Sequence, residues 1–313
     1  MNIKDKNIAI LYGGWSDERD ISLDSGKSVY EALRENGLNA FLFDFDRDDP
    51  DVLEKFIIKN NIDLVFNLMH GVGGEDGHVQ KYLEKLSVKF IGSDSESSYK
   101  SFNKILTKDL WASNNLMTPK YHIVNPNMFE HITINNFSDK VVLKPKKSGS
   151  SVGIKILNLQ EIISANPALS YKRLCNHMIN DIEPNDYFIE EYIDHAEYTA
   201  PIISNKVYPI IKIDTEREFY NYNAKYIDNN TSFTFPKFPT SVQKKINNTA
   251  LDAFALLGCS TWGRIDFFMS HDFEINLIEI NSIPGMTSHS LVPMSAKYSG
   301  LKYIDLIKLL LKN

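Results

Sequence analysis

Through the first third of the chain, short apolar runs alternate with amphipathic stretches. Ile8-Ala-Ile-Leu-Tyr12 is an unbroken apolar run that stops at Gly13-Gly14, and Ile21 to Asn36 repeats its apolar positions at helical spacing up to Gly37. The spacing predicts a strand and then a helix. The same reading gives a strand over Ala40 to Phe45, a helix over Pro50 to Lys59, a strand over Leu64 to Leu68 and a helix over Gly77 to Leu86. This alternation predicts a parallel, doubly wound α/β sheet with helices on both faces. Ligands of such sheets collect beyond the C-terminal strand ends, where Gly13 to Glu18 and His70 to Gly77 fall.

A different alternation marks the C-terminal end. Trp262-Gly-Arg-Ile-Asp-Phe-Phe-Met269 and Asn276-Leu-Ile-Glu-Ile-Asn281 are strand-like and joined by the polar Ser270-His-Asp-Phe-Glu274, which predicts a hairpin. Side chains two residues apart share a face. Arg264 therefore goes with Asp266 and Glu279 with Asn281, while Ile265, Phe267, Ile278 and Ile280 are expected to face a core. If the polar faces coincide, two carboxylates and an amide oxygen meet beside an arginine. An oxygen-only set repels itself unless a hard cation sits within it, and it suits Mg²⁺ carrying nucleotide phosphates. The plainer alternative is the solvated face of an amphipathic hairpin. Pro284-Gly285 favours the metal reading, because its turn exposes backbone N–H groups to an oxyanion or carboxylate.

Composition narrows the partners. At 313 residues and 43% hydrophobic content, the chain has material for two or three packed domains. A net charge of −6 and a pI near 5.8 argue against nucleic acid or an anionic membrane surface as general partners. No apolar run approaches the roughly 20 residues of a membrane span, and the N-terminus lacks the apolar segment and cleavage site of a signal peptide. Cys175 and Cys259 have no CxxC or metal spacing, which fits a reducing cytoplasm better than a disulfide scaffold. The expectation is a soluble cytoplasmic protein.

Several loops carry candidate chemistry. Lys140-Val-Val-Leu-Lys-Pro-Lys-Lys-Ser-Gly-Ser-Ser-Val-Gly-Ile-Lys155 sets two strand-like runs around a Ser-Gly loop, whose N–H groups and hydroxyls can wrap phosphate oxygens. It is not a Walker A loop, since no GKS or GKT follows the glycines. A plain hairpin turn accounts for its Ser-Gly core but less well for Lys144 on the incoming strand. Gly13-Gly-Trp-Ser-Asp-Glu-Arg19 lacks the third glycine of a dinucleotide fingerprint. Glu18 in that segment precedes a helix, where the dipole alone favours a carboxylate. The glycines of Met69-His-Gly-Val-Gly-Gly-Glu-Asp-Gly77 are explained by close approach of backbone to a ligand; His70 taken alone reads equally as a structural histidine. Asp186-Tyr-Phe-Ile-Glu-Glu-Tyr-Ile193 is a strand running into a looser connection, and its acids fit an exposed strand edge as well as a binding site. Phe219 to Pro236 reads as a long, aromatic-rich loop, and loops of that length are usually functional.

Trp262-Gly-Arg-Ile-Asp266, Glu279-Ile-Asn281 and Pro284-Gly-Met-Thr-Ser-His-Ser-Leu-Val-Pro-Met294 together resemble the C-terminal signature of the D-alanine–D-alanine ligases of the ATP-grasp superfamily. The loops above follow the family's other motifs in order over nearly the whole chain. The resemblance implies three α/β subdomains, a substrate domain over 1–95 and a two-part ATP-grasp fold over 96–185 and 186–313. Matching residue by residue, it implies that Glu18 receives the amino group of the first substrate, that His70 lies beside its carboxylate and that Ser150 helps to fix it. Lys104, in Phe102-Asn-Lys-Ile-Leu-Thr-Lys108, and Lys144 would reach the nucleotide phosphates. Glu190 would lie at the adenine edge, Glu191, Tyr192 and Ile193 would form the hinge, and Glu197 would hold the ribose. Asp266, Glu279 and Asn281 would hold Mg²⁺, or Mn²⁺ in its place. Arg264 and the Gly285 N–H would meet a tetrahedral oxyanion, with Ser290 and Leu291 around the second carboxylate. Phe219-Tyr-Asn-Tyr-Asn-Ala-Lys-Tyr226 resembles the family's lid, with Lys225 toward the nucleotide. Tyr226 stands where enzymes that join two D-alanines carry a tyrosine. Asn103, Asn221 and Asn223 depart from the pattern, which has acids there.

The implied activity is ATP-dependent joining of two D-alanines through an acyl phosphate, for peptidoglycan precursors, by a homodimer. The alternatives are an ATP-grasp ligase with another acceptor (D-lactate, D-serine or an L-amino acid) and a nucleotide-binding relative without catalysis.

Overall fold

The computed structural model describes residues 3–131, 137–179, 182–215 and 231–312. A short 3-10 turn leads into β1 (Asn7–Tyr12), α1 (Arg19–Glu35), β2 (Asn39–Asp44), α2 (Pro50–Lys59), β3 (Leu64–Asn67), α3 (His78–Lys85) and β4 (Lys89–Ile91). The strands form one parallel sheet in the order β2-β1-β3-β4. Both of its faces are covered, as the unbroken apolar runs predict. Ile8, Ile10 and Phe66 pack against Val29 and Leu33 of α1, and Ala9, Leu11 and Val65 pack against Leu53, Ile57, Val79 and Leu83 of α2 and α3.

The buried stripe of α1 also contains Ser22, Ser25 and Gly26, which apolar periodicity does not mark. A Cβ on Gly26 would lie 2.6 Å from the Tyr12 side chain. These small residues let the helix approach β1 closely and carry Ser25 under the strand ends.

Next come α4 (Ser95–Phe102) and α5 (Lys104–Ser113). Asn103 caps α5, its side-chain oxygen accepting from the N–H groups of Ile105 at 3.1 Å and Leu106 at 3.3 Å. Asparagine caps a helix about as well as aspartate, so this departure from the family pattern leaves the helix start intact.

β5 (Tyr121–Ile123), α6 (Met128–His131), β6 (Lys140–Pro145), β7 (Lys155–Asn158), α7 (Leu159–Ile162), α8 (Pro167–Cys175) and β8 (Tyr187–Glu191) build an antiparallel sheet in the order β5-β8-β6-β7. Helix residues such as Met128, Ile162 and Leu174 cover the face that carries Val141, Leu143 and Ile189. A third sheet contains β9 (Ala196–Ile203), β10 (Lys206–Val207), β11 (Ile211–Asp214), β12 (Ser232–Thr234), β13 (Trp262–Met269) and β14 (Ile275–Asn281), with α9 (Thr240–Leu256) packed beside it. Strand β12 falls in the stretch read as a loop. Three residues are too few to display a period, and the pairing with β11 is what defines it.

The β13/β14 hairpin is present, and its polar faces coincide: Arg264 stands opposite Asn281 and Asp266 opposite Glu279. A register shift follows Asp266, so that Phe267 pairs with Leu277. This corrects one expectation. Leu277, not Ile278, joins Ile265, Phe267 and Ile280 in the core, and Ile278 turns toward a cleft instead. A bulge adds a residue to one strand and inverts the alternation beyond it.

The chain ends with α10 (Leu291–Tyr298) and α11 (Tyr303–Leu310), which return to the first sheet. Val292, Ala296, Leu306, Ile307 and Leu310 share a core with Ile8, Val29 and Leu33, and Trp262 joins it from β13. No helix among the described residues is long and apolar enough to cross a membrane.

Candidate active site

Two cavities meet at the hairpin. The smaller is lined by Glu18, His70, Glu75, Lys104, Ser148, Gly149, Ser150, Arg264, Glu279, Asn281 and Gly285, among others. The larger, about 280 Å³, lies between the second and third sheets and is lined by Lys144, Ser151, Glu190, Glu191, Tyr192, Ile193, Glu197, Ile278 and Glu279, among others. Among the described lining residues, only Glu279 belongs to both.

In the smaller cavity Glu18 is 8% exposed and sits just before α1. Ser150 donates its hydroxyl hydrogen to the Glu18 carboxylate across the cavity. Ser150 and Ser151 take positive φ values of 48° and 61°, so the loop bends sharply to make this contact. At Gly149 a Cβ would lie 2.2 Å from the nearer Glu18 oxygen, so a larger residue there would displace the loop or the Glu18 carboxylate. His70 is held between Glu75, whose oxygen is 3.2 Å from Nδ1, and Ser25, whose hydroxyl is 3.4 Å from Nε2. Ser25 also accepts the Met286 N–H at 3.1 Å, which ties the loop after β14 to the first sheet.

The Ser-Gly loop is anchored from α5 as well. The Lys104 backbone N–H donates to Lys146 O at 2.9 Å, and its ammonium donates to Ser148 O at 2.5 Å. The same ammonium lies 3.4 Å from Glu279. Arg264 Nε reaches both oxygens of Asp266, at 3.1 and 3.2 Å. Each carboxylate of the hairpin thus already faces a cation.

No cluster of three or more His, Cys, Asp or Glu side chains suited to a metal occurs among the described residues. A metal at the hairpin needs the Asn281 amide oxygen as its third donor. That oxygen accepts the Ile283 N–H at 3.0 Å, and a carbonyl oxygen has a second lone pair. Glu279 lines both cavities and Asn281 the smaller one, whereas Asp266, paired with Arg264, lines neither; by its chemistry this hard, oxygen-only donor set fits a divalent cation.

In the larger cleft Glu190 is 1% exposed. One of its oxygens pairs with the Lys144 ammonium, and the other lies 2.8 Å from Lys108 Nζ. Burial raises the Glu190 carboxyl, but the two ammoniums outweigh it and hold the group below its ordinary range. For Lys144 burial is likewise outweighed by Glu190, and the ammonium sits above its ordinary value; for Lys108 burial dominates and the value falls. Glu190 was expected at the adenine edge. It does line the cleft, but its carboxylate is engaged by lysines on both oxygens.

The hinge residues Glu191, Tyr192 and Ile193 also line the cleft, as does Glu197 from β9. The Glu191 N–H is bonded to Lys120 O at 2.8 Å, and the Tyr192 ring lies 5.3 Å from the Lys140 ammonium.

Like Asp266, Ser290 and Leu291 line neither cavity. Leu291 is buried with Ile211 and Ile213, so only its backbone, at the start of α10, is suited to meet a carboxylate. The Ser290 hydroxyl accepts the Thr287 N–H at 3.0 Å beneath Gly285. Lys225, Tyr226, Asn221 and Asn223 lie outside the described residues.

Three participants escaped the sequence reading. Lys108 follows Lys104 at helical spacing, a signal that could have placed both on one face. Ser25 and Glu75 gave no local sign, because their partners come from distant segments.

The family model described as D-ala D-ala ligase C-terminus matches residues 110–312. A D-alanine–D-alanine ligase of Vesicomyosocius okutanii is 36% identical over 96% of this chain and 97% of its own. One of Buchnera aphidicola subsp. Schizaphis graminum is 36% identical over 98% of each. The crystal structure of a D-alanine–D-alanine ligase from Bacillus anthracis aligns with a TM-score of 0.79 and 27% identity, over 98% of this chain and 96% of that one.

Proposed function

The chain belongs to the D-alanine–D-alanine ligase family, and from that premise we propose how its own residues divide the work of the reaction. It is an ATP-dependent ligase that joins two D-alanines, and its product serves peptidoglycan synthesis. The observation that carries the division of roles is Glu279, the acid common to the cleft and to the Glu18 pocket. At that junction a phosphate bound in the cleft would meet a carboxylate bound in the pocket.

In this reading the nucleotide lies in the larger cleft, along the hinge 191–193, with Glu197 at the ribose and Lys144 at the phosphates. The first D-alanine lies in the smaller pocket. Its ammonium faces the buried Glu18 carboxylate, which Ser150 orients, and His70 stands at the carboxylate end. A carboxylate oxygen attacks the γ-phosphorus, the bond to ADP breaks, and an acyl phosphate results. Lys104, between Ser148 and Glu279, adds positive charge beside the transferred group; phosphoryl transfer depends mainly on such positioning and charge stabilisation.

Asp266, Glu279 and Asn281 would hold Mg²⁺. When bound, the ion would neutralise phosphate charge. The second D-alanine's amine then attacks the acyl carbon, loses a proton, and phosphate departs. Arg264 and the Gly285 N–H are suited to the tetrahedral oxyanion, and the start of α10, at Ser290 and Leu291, to the second carboxylate. The reading carries with it a cytoplasmic homodimer that needs neither nucleic acid nor membrane, which light scattering of the purified protein would test for the dimer.

The function is tested by ATP-dependent phosphate release with D-alanine, L-alanine, or D-alanine plus D-lactate, with products identified by mass. D-Alanyl-D-alanine formed from D-alanine is the expected result. Release only with another acceptor would overturn the acceptor assignment.

A further inference from the structure

Lys108 is buried and absent from the lining of the cleft, yet its ammonium contacts one of the cleft's walls. It is held from three elements: α5 carries it, Glu190 of β8 faces it, and Thr118 accepts its hydrogen bond at 2.6 Å while donating to Leu277 O of β14 at 2.8 Å. An apolar side chain of similar length would fill this space without the cost of desolvating an ammonium. The charge therefore needs a reason beyond packing.

The neighbouring charges supply one. Glu190 carries one negative charge, with the Lys144 ammonium at one oxygen and the Lys108 ammonium in an ion pair 2.8 Å from the other. Two ammoniums on one carboxylate leave this triad with one net positive charge, while Glu279 and Glu197 of the cleft also act on Lys144. Without Lys108, Glu190 and Lys144 would neutralise each other at the place where phosphate must be attracted. We propose that Lys108 is a positioning residue that holds part of the Glu190 carboxylate, so that Lys144 keeps net positive charge toward the nucleotide phosphates. This inference rests on the assignment of the nucleotide to the larger cleft.

The test is calorimetric binding of ATP and of adenosine at neutral pH to the full chain and its variants. Lys108→Met should weaken ATP about tenfold, the scale of one unit charge acting across several ångströms of protein, and leave adenosine nearly unchanged. The double variant Lys108→Met/Glu190→Gln restores one net positive charge and should recover the ATP-to-adenosine affinity ratio. Lys108→Arg keeps the charge and should keep the ratio, which provides a reading even if the methionine variant does not fold. Equal losses for both ligands would make Lys108 a structural residue and overturn the proposal, as would no loss for either, or a changed ratio in Lys108→Arg. Lys144→Met separates the two layers of argument. If it spares ATP, the cleft assignment falls and this inference with it; if it weakens ATP while Lys108→Met does not, only the role of Lys108 falls.

Discussion

Ser150 and Glu18, 132 residues apart in the chain, are joined by a hydrogen bond across the smaller cavity. The bond closes the Ser-Gly loop over the residue assigned to the first substrate's ammonium. Ser150→Ala removes a hydrogen bond to a charged acceptor, of about 1.5–3 kcal/mol. Thermal stability should fall accordingly, and steady-state kinetics should register a rise of about tenfold in the KM for D-alanine.

Gly149→Ala tests the same closure sterically. The added methyl would stand 2.2 Å from a Glu18 oxygen, so either the loop or the carboxylate must move. A misplacement of about 1 Å at a reacting centre can cost about a hundredfold in rate, and the rate with D-alanine should fall toward that scale. Activity close to wild type would mean that the loop does not need this position in catalysis.

At the hairpin, Asp266→Asn keeps the shape and removes one negative charge from the proposed metal set. Turnover should fall by about a thousandfold, matching the several kcal/mol that a Lewis acid supplies. Excess Mg²⁺ should not restore it, and circular dichroism should report an intact fold. Retained activity would remove Asp266 from the metal site.

Glu190 makes a prediction about pH. Its folded carboxyl lies below the ordinary value of 4.5, since the two lysines outweigh burial. A depressed acid stabilises the fold fully above its unfolded value and loses that contribution as pH falls through the folded one. Glu190→Gln leaves two buried ammoniums without their anion and should cost about 3–5 kcal/mol near neutrality. In urea unfolding the gap between variant and wild type should then narrow progressively below pH 4.5. A gap that stays constant into acid would show that Glu190 is not ionised in the fold.

The two thiols should differ in reactivity. Burial pushes the Cys259 thiol up to about 11, against hydrogen bonds with Ser93 and Ser101, whereas Cys175 is half-buried. Because the thiolate is the nucleophile, a thiol reagent in mildly alkaline buffer should label Cys175 in the native protein and reach Cys259 only after unfolding. Rapid labelling of both would contradict the burial of Cys259.

Local periodicity made much of this protein legible. Each element expected in the first third, from β1 to α3, lies within about two residues of its expected bounds, because an apolar run or a helical stripe depends only on neighbours in sequence. The hairpin pairing of Arg264, Asp266, Glu279 and Asn281 was readable for the same reason. Its phase was not readable beyond Asp266. A bulge leaves no mark on composition, and one extra residue turned Ile278 from the core to the cleft.

What the sequence determined by itself was the parallel first sheet, the polar face of the hairpin and, through its motifs, the family. Tertiary structure alone decided the long-range partnerships: Ser150 with Glu18, Ser25 with Met286, and Lys108 with Glu190. It also decided that the last two helices share a core with the first sheet. The reason is physical. Alternation along a chain says which way a side chain points, whereas the partner it finds depends on how distant elements pack, and no local pattern carries that information.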